Sequence, residues 1–502
     1  MKVGGTSFRL KRKKSLAGTV LLGLGLLASS GCAVGPRYSK PATVAPPEYK
    51  ELPPNWKTAQ PNDHIAKGTW WEVFQDPQLN TLEQQINVSN QTLKSAQAQF
   101  EQARTLVRIN RSGQYPYVTA GMSATRNRQS MNRPNGRLAP TNSYTDLQLP
   151  VDASYEADVW GRVRRTVEAA RANAQASAAD LESVSLSLHA ELATDYFELR
   201  ALDAEEQLLN STVSAYEKAL ELTQNRYSGG VASQVDVAQA QTQLETTRAQ
   251  AIDLGVQRAQ LEHAIAVLIG QPAPTFSVAA SPLNNTPPVV PAGVPSDLLE
   301  RRPDIAGNER RMAVANEQIG IAKAAYYPTI TLSATGGFEG SSITNWFNGP
   351  SGFIAAGASA LGTVFDSGRR RGQVDVARAS YDQAVANYRE TVLGAFQEVE
   401  DNLAALRVLE DEAKTQDVAV TSAEHSLTLS TNRYKGGVAT YLEVITAQST
   451  ALTDQRTAVE IAGRRMTASV ALIKALGGGW NAATLPALRG ESHSQSGAAT
   501  GQ

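Results

Sequence analysis

LTQNRYSGGVASQVDV, residues 222–237, returns as LSTNRYKGGVATYLEV at residues 429–444, so the core NRY-x-GGVA recurs at an offset of 207 residues. A match at fixed offset marks an internal duplication. In each copy helix-forming sequence runs into Gly-Gly, a short polar turn follows, and a second stretch rich in Ala, Gln and Leu begins. That order predicts the tip of a helical hairpin, with glycine taking the positive-φ positions where the first helix stops.

Upstream of the first tip, Arg162 to Tyr227 contains neither Gly nor Pro, which at 1.5 Å per residue predicts a helix about 100 Å long. Within it Leu209, Val213, Tyr216, Leu220 and Tyr227 keep heptad spacing, the pattern of a helix packed on long neighbours. Val231 to Ile269 returns as its partner. The second half replays the first: Gly368 answers Gly161, Ala377-Arg378-Ala379 answers Ala170-Arg171-Ala172, and Leu406-Arg407 answers Leu199-Arg200, at the same offset.

Ahead of each hairpin the apolar period changes to two. Val118, Ala120, Met122 and Ala124 alternate with polar or small residues, as do Leu147, Leu149, Val151, Ala153, Tyr155 and Ala157. These runs predict strands at 117–126 and 145–158, with Pro150 a local kink. Ile330, Leu332, Ala334 and Phe338 predict a third at 329–339, and 351–365 a fourth, weaker one. Such runs suit a bilayer crossed by tilted strands of roughly 9–11 residues. Before the first strand, Leu79, Leu82, Ile86, Leu93, Ala96, Phe100, Ala103 and Val107 form one heptad stripe with Ser89 its polar exception, which predicts a single helix.

The amino terminus is basic, then apolar from Leu16 to Ala28, then small up to Cys32, the one cysteine in 502 residues. Residues 1–31 read as a secretory signal, and the ending resembles a lipoprotein box that makes Cys32 the acylated first residue of the mature chain. Ala33 follows it, in place of the aspartate that holds many such lipoproteins at the inner membrane, and so favours an outer-membrane address. Seven prolines between Ala33 and Gly68 suit an extended tether over 32–68. The division expected is therefore a first repeat over 69–270 with hairpin 162–269, a Pro-rich connector over 271–303, a second repeat over 304–478 with hairpin 369–476, and a disordered tail over 479–502.

A net charge of −1 leaves no nucleic-acid footprint. The five histidines stand at no ligand spacing, and neither a nucleophile–base arrangement nor a phosphate loop is present. No enzyme activity, metal or cofactor is expected. Four membrane-length strands cannot close a barrel, whose smallest membrane forms have about eight. Two copies would supply eight strands and three would supply twelve. The periodicity leaves both open.

Further residues carry a resemblance: Gly31-Cys32-Ala33-Val34-Gly35-Pro36 with Tyr38 and Pro41, Trp70-Trp71 with Phe74 and Asp76, Tyr327-Pro328, and Val294-Pro295-Ser296-Asp297-Leu298-Leu299-Glu300-Arg301-Arg302-Pro303-Asp304-Ile305. Together with the twin tips they make nearly all of the mature chain similar to the TolC-like outer-membrane factors, in their efflux-pump lipoprotein branch. The resemblance implies a mainly α chain with a membrane β-barrel, in which a homotrimer forms a twelve-stranded barrel and a twelve-helix periplasmic tunnel. It implies passive export of drugs or other small molecules, with a periplasmic adaptor and an inner-membrane pump of RND type as partners, and outer-membrane lipid reached through Cys32. Arg226, Tyr227, Gly229, Gly230 and Val231, with Arg433, Tyr434, Gly436, Gly437 and Val438, become the adaptor-facing tips. Asp236 and Glu443, equivalent at the 207 offset, become candidates for a pore constriction; a carboxylate that merely starts a helix explains either one as well. A duct for protein secretion and a non-conducting periplasmic scaffold stay open as alternatives.

Overall fold

A computed structural model describes residues 33–41, 45–51, 68–128, 130, 143–288, 290 and 295–487. Helices α1 (Pro77–Ser89) and α2 (Gln91–Ser112) precede strands β1 (Tyr117–Ala120), β2 (Ser123–Asn127) and β3 (Tyr144–Ala157). Helices α3 (Arg162–Ser228) and α4 (Gln234–Leu268) complete the first repeat. The second consists of α5 (Pro303–Ala324), β4 (Thr329–Gly340), β5 (Gly352–Leu361), α6 (Arg369–Lys435) and α7 (Tyr441–Ala475). The duplication holds to the residue in the hairpins: α3 and α6 have 67 residues each, α4 and α7 35 each.

The chain divides into two compact units. Among the described residues, one comprises those up to Lys40 with Ala103–Ala174 and Arg311–Ala384; the other takes Pro41–Gln102, Gln175–Arg310 and those from Val385 on. The first holds the sheet, entirely antiparallel, in the order β1-β3-β4-β5 with β2 also paired to β3. Because β1 and β2 lie end to end along β3, the sheet is four positions wide. The expected strand at 117–126 is thus interrupted at Gly121 and Met122, where Gly121 N–H donates to Pro150 O at 3.0 Å. Pro150 lies inside β3 opposite Gly337. A residue with no N–H to offer the ladder stands where its neighbour strand breaks, and β3 runs through it. The fourth strand is shorter than expected, ending at Leu361.

Each long helix starts by the same device. Asp158 accepts from Val163 and Arg164 N–H at 2.9 and 2.8 Å, and Asp366 accepts from Gly368 and Arg370 N–H at 3.1 and 3.2 Å. Both supply acceptors for amides that a helix start leaves free.

The second unit holds the hairpins' tip-side lengths and the buried aromatic group Trp70, Trp71, Phe74, Tyr196 and Phe197. The single helix expected over the first heptad stripe is two. Asn90 has extended backbone, its Oδ1 accepts from Leu93 N–H at 2.8 Å, and its Nδ2 donates to Leu268 O at 2.7 Å. The stripe breaks because Asn90 caps α2 and ties it to the end of α4. Of the expected signal, tether and tail, residues 1–32, 42–44, 52–67 and 488–502 lie outside the described residues, and the described parts of the tether and tail are held. Lys50 and Glu51 N–H donate to the Glu400 carboxylate at 2.8 and 3.0 Å, and Pro486 O accepts from Gln175 at 3.2 Å, so the tail is held against α3 at least that far. Among the described residues no helix is long and apolar enough to cross a membrane.

Candidate functional site

The two tips lie together in the second unit and close identically. Val231 N–H donates to Arg226 O at 2.8 Å and Gly230 N–H to Tyr227 O at 2.9 Å; Val438 donates to Arg433 O and Gly437 to Tyr434 O, both at 3.0 Å. This double bond pattern places a left-handed residue just past the helix, and Gly230 and Gly437 occupy it at φ 76° and 75°.

Beyond the backbone the copies diverge. Tyr227 is 47% exposed and Tyr434 only 5%. The cause lies seven residues on, where the first tip has Gln234 and the second Tyr441. Tyr434 and Tyr441 rings sit 5.1 Å apart within an apolar cluster that takes in Tyr216, Leu220, Leu244 and Val444. Burial pushes the Tyr441 hydroxyl up to about 12. Arg226 lies over the Tyr434 ring at 4.6 Å and donates to Lys435 O at 3.0 Å, so it binds the second tip. Its counterpart Arg433 instead pairs with Glu443 at 3.2 Å.

The two constriction candidates differ as well. Asp236 and Ser233 form a reciprocal capping box, with Ser233 N–H to Asp236 Oδ2 at 3.0 Å and Asp236 N–H to Ser233 Oγ at 3.2 Å. Thr440 makes no such side-chain cap, which leaves Glu443 to its arginine. Exposed faces at the tips belong to Tyr227, Val231, Val235, Val438 and Leu442. Val235 and Leu442 escaped the sequence reading, although they flank the repeated motif; the internal use of Arg226 and Tyr434 could have been suspected only from Tyr441. Cys32 lies outside the described residues.

A four-wide antiparallel sheet with two unpaired edges, joined to a duplicated pair of Gly-Gly-tipped hairpins, defines a channel-forming outer-membrane export protein rather than an enzyme. The family model for the outer membrane efflux protein matches residues 82–271 and 294–478, and the chain belongs to that family. It is 32% identical over 468 residues to the probable efflux pump outer membrane protein SepC of Pseudomonas putida, covering 91% of this chain and 95% of SepC. To the pyoverdine export outer membrane protein OpmQ of Pseudomonas aeruginosa it is 30% identical over 461 residues, with 91% and 95% covered. Among solved structures, the outer-membrane channel OprN superposes with a TM-score of 0.83 at 27% identity, over 89% of this chain and all of OprN. The open state of the Neisseria gonorrhoeae MtrE outer-membrane channel gives 0.80 at 27%, over 90% and 99%. The chain is an outer-membrane efflux protein that spans the outer membrane and extends into the periplasm.

Proposed function

We propose that three copies form one duct, with the sheet edges of β1 and β2 on one copy meeting β5 of the next in a twelve-stranded barrel, and that an adaptor and an inner-membrane pump of RND type load it with small apolar or amphipathic molecules. The observation that carries the reading is the pair of exposed Gly-Gly tips presented side by side. Support for the cargo comes from relatives named for toluene, antibiotic and pyoverdine export. Cys32 carries the acyl chains, each buried CH₂ of which contributes about 0.8 kcal/mol to anchoring.

In this reading the adaptor grips Tyr227, Gly229, Gly230 and Val231 of one tip and Arg433, Gly436, Gly437 and Val438 of the other, while Arg226 and Tyr434 hold the two tips in register. Of the two candidates for a constriction, Glu443, present three times round one axis, narrows the mouth and favours cations there, while Asp236 is taken up in the cap of α4. The test is complementation in a strain lacking its own outer-membrane efflux protein, paired with conductance in planar bilayers. Wild type restores solvent and drug resistance, and Gly230→Trp with Gly437→Trp abolishes it while conductance persists. Full resistance in the double variant would sink the tip assignment.

A further inference from the structure

The residues directly after Cys32 are seated, not loose. Val34 N–H donates to Trp160 O at 3.1 Å. Gly35 takes φ +121°, and a Cβ there would stand 2.6 Å from the Gly320 Cα. A side chain on Gly320 would in turn run into Arg165. Arg165 is buried and paired with Glu317 at 2.6 Å, and it donates to Pro36 O at 3.2 Å. Two glycines and a buried arginine held by the half-buried Glu317 thus make a fitted groove for residues 33–36, in which only a chain without a Cβ at position 35 can lie.

The groove opens at one end of the sheet. Trp160 follows β3 by three residues, donates from Nε1 to Pro328 O at 2.8 Å and stacks on Tyr327 at 4.6 Å, immediately before β4. Paired aromatic rings at the end of membrane-length strands suit the bilayer boundary. Ala33 docks against Gly161, one residue along the chain from the acylation site.

We propose that residues 33–36 are a docking strap that delivers the acylated terminus to the bilayer beside Trp160 and Tyr327, so that the anchor works on insertion of the sheet instead of leashing the protein from a distance. The inference rests on acylation of Cys32. A leash would need no groove, no positive-φ glycine and no buried arginine.

The experiment uses the full-length chain with its own signal, labelled with palmitate and followed by pulse–chase into the heat-modifiable, membrane-inserted form. A six-residue Gly/Ser insertion between Ala33 and Val34 keeps Cys32 and its neighbour but separates them from the groove. It slows maturation at least fivefold with the label unchanged, as does Gly35→Val, whereas the same insertion between Pro36 and Arg37 matures at the wild-type rate. Wild-type maturation of the 33/34 insertion with palmitate present would overturn the strap. A wild-type chain without palmitate would instead overturn the acylation itself, and this inference with it.

Discussion

Glu83 and His189 meet in the second unit with Oε2 and Nδ1 2.6 Å apart, both buried, and Trp71 stacks on the imidazole at 4.4 Å. Burial keeps the His189 imidazole neutral, and with Nε2 facing Asn87 Oδ1 at 3.3 Å the proton sits on Nε2 and Nδ1 is left to accept. Glu83 must then donate, and burial pushes its carboxyl well above the usual range and the imidazole down to about 4. Both groups are neutral in the fold. An acid that stays protonated in the fold but ionises at about 4.5 when unfolded destabilises the fold as pH rises above that value. Glu83→Gln keeps the donor and has no proton to lose. Its thermal unfolding in detergent should nearly match wild type near pH 4 and exceed it at pH 8; the histidine, which weakens both proteins below pH 6.5, cancels in the difference. A gap that shrinks with rising pH would rule out the neutral pair. The tyrosines at the tips give a second contrast. Tyr434→Ala empties a buried site and costs about 3 kcal/mol, whereas Tyr227→Ala leaves stability within about 0.5 kcal/mol and weakens adaptor capture. Equal stability losses would contradict the burial difference.

At the scale of elements, the capping box makes Asp236 part of the start of α4. Asp236→Ala should lower denaturant stability by about 1 kcal/mol, while Glu443→Ala, which removes an exposed ion pair, costs under about 1 kcal/mol and chiefly raises conductance. Conductance that responds to Asp236 and not to Glu443 would reverse the assignment. Sequence and structure agree best where the duplication acts, because helix length depends on local composition and the positive-φ glycine that stops it is a local need. They part where a distant partner decides. The stripe through Ser89 reads as one helix until Leu268 accepts from Asn90, and Tyr434 reads as its twin Tyr227 until Arg226 covers it. Residues 32–68 read as a tether because prolines describe stiffness and cannot announce the partners of its described parts, Arg165 and Glu400. The paired arginines of the repeats show the same limit. Arg200 is buried on Ala279 O at 2.7 Å, while its twin Arg407 reaches Glu51 at 2.6 Å, so one inherited position grips two unrelated segments.

For the molecule as a whole the decisive feature is the pair of open sheet edges. Along β5 every residue but Phe353 is exposed, and β1 is exposed throughout. Unpaired N–H and C=O groups in hydrocarbon cost several kcal/mol each, so a sheet of this width has no stable place in a bilayer by itself. Closure by copies related by rotation joins β1 and β2 of each to β5 of the next, a head-to-tail contact that ends only when the ring is complete. Four positions per chain then allow eight strands or twelve, and the two cases separate on a gel. In a Cys32→Ser background, cysteines introduced as Thr119→Cys and Ser359→Cys stand on the opposite edges as the only thiols. A short bis-maleimide applied to outer membranes should link two and then three chains and nothing larger, and either single variant should give no ladder. A ladder that stops at two would mean an eight-stranded barrel, and one that runs past three would mean that the sheet edges meet in an open array and form no closed duct.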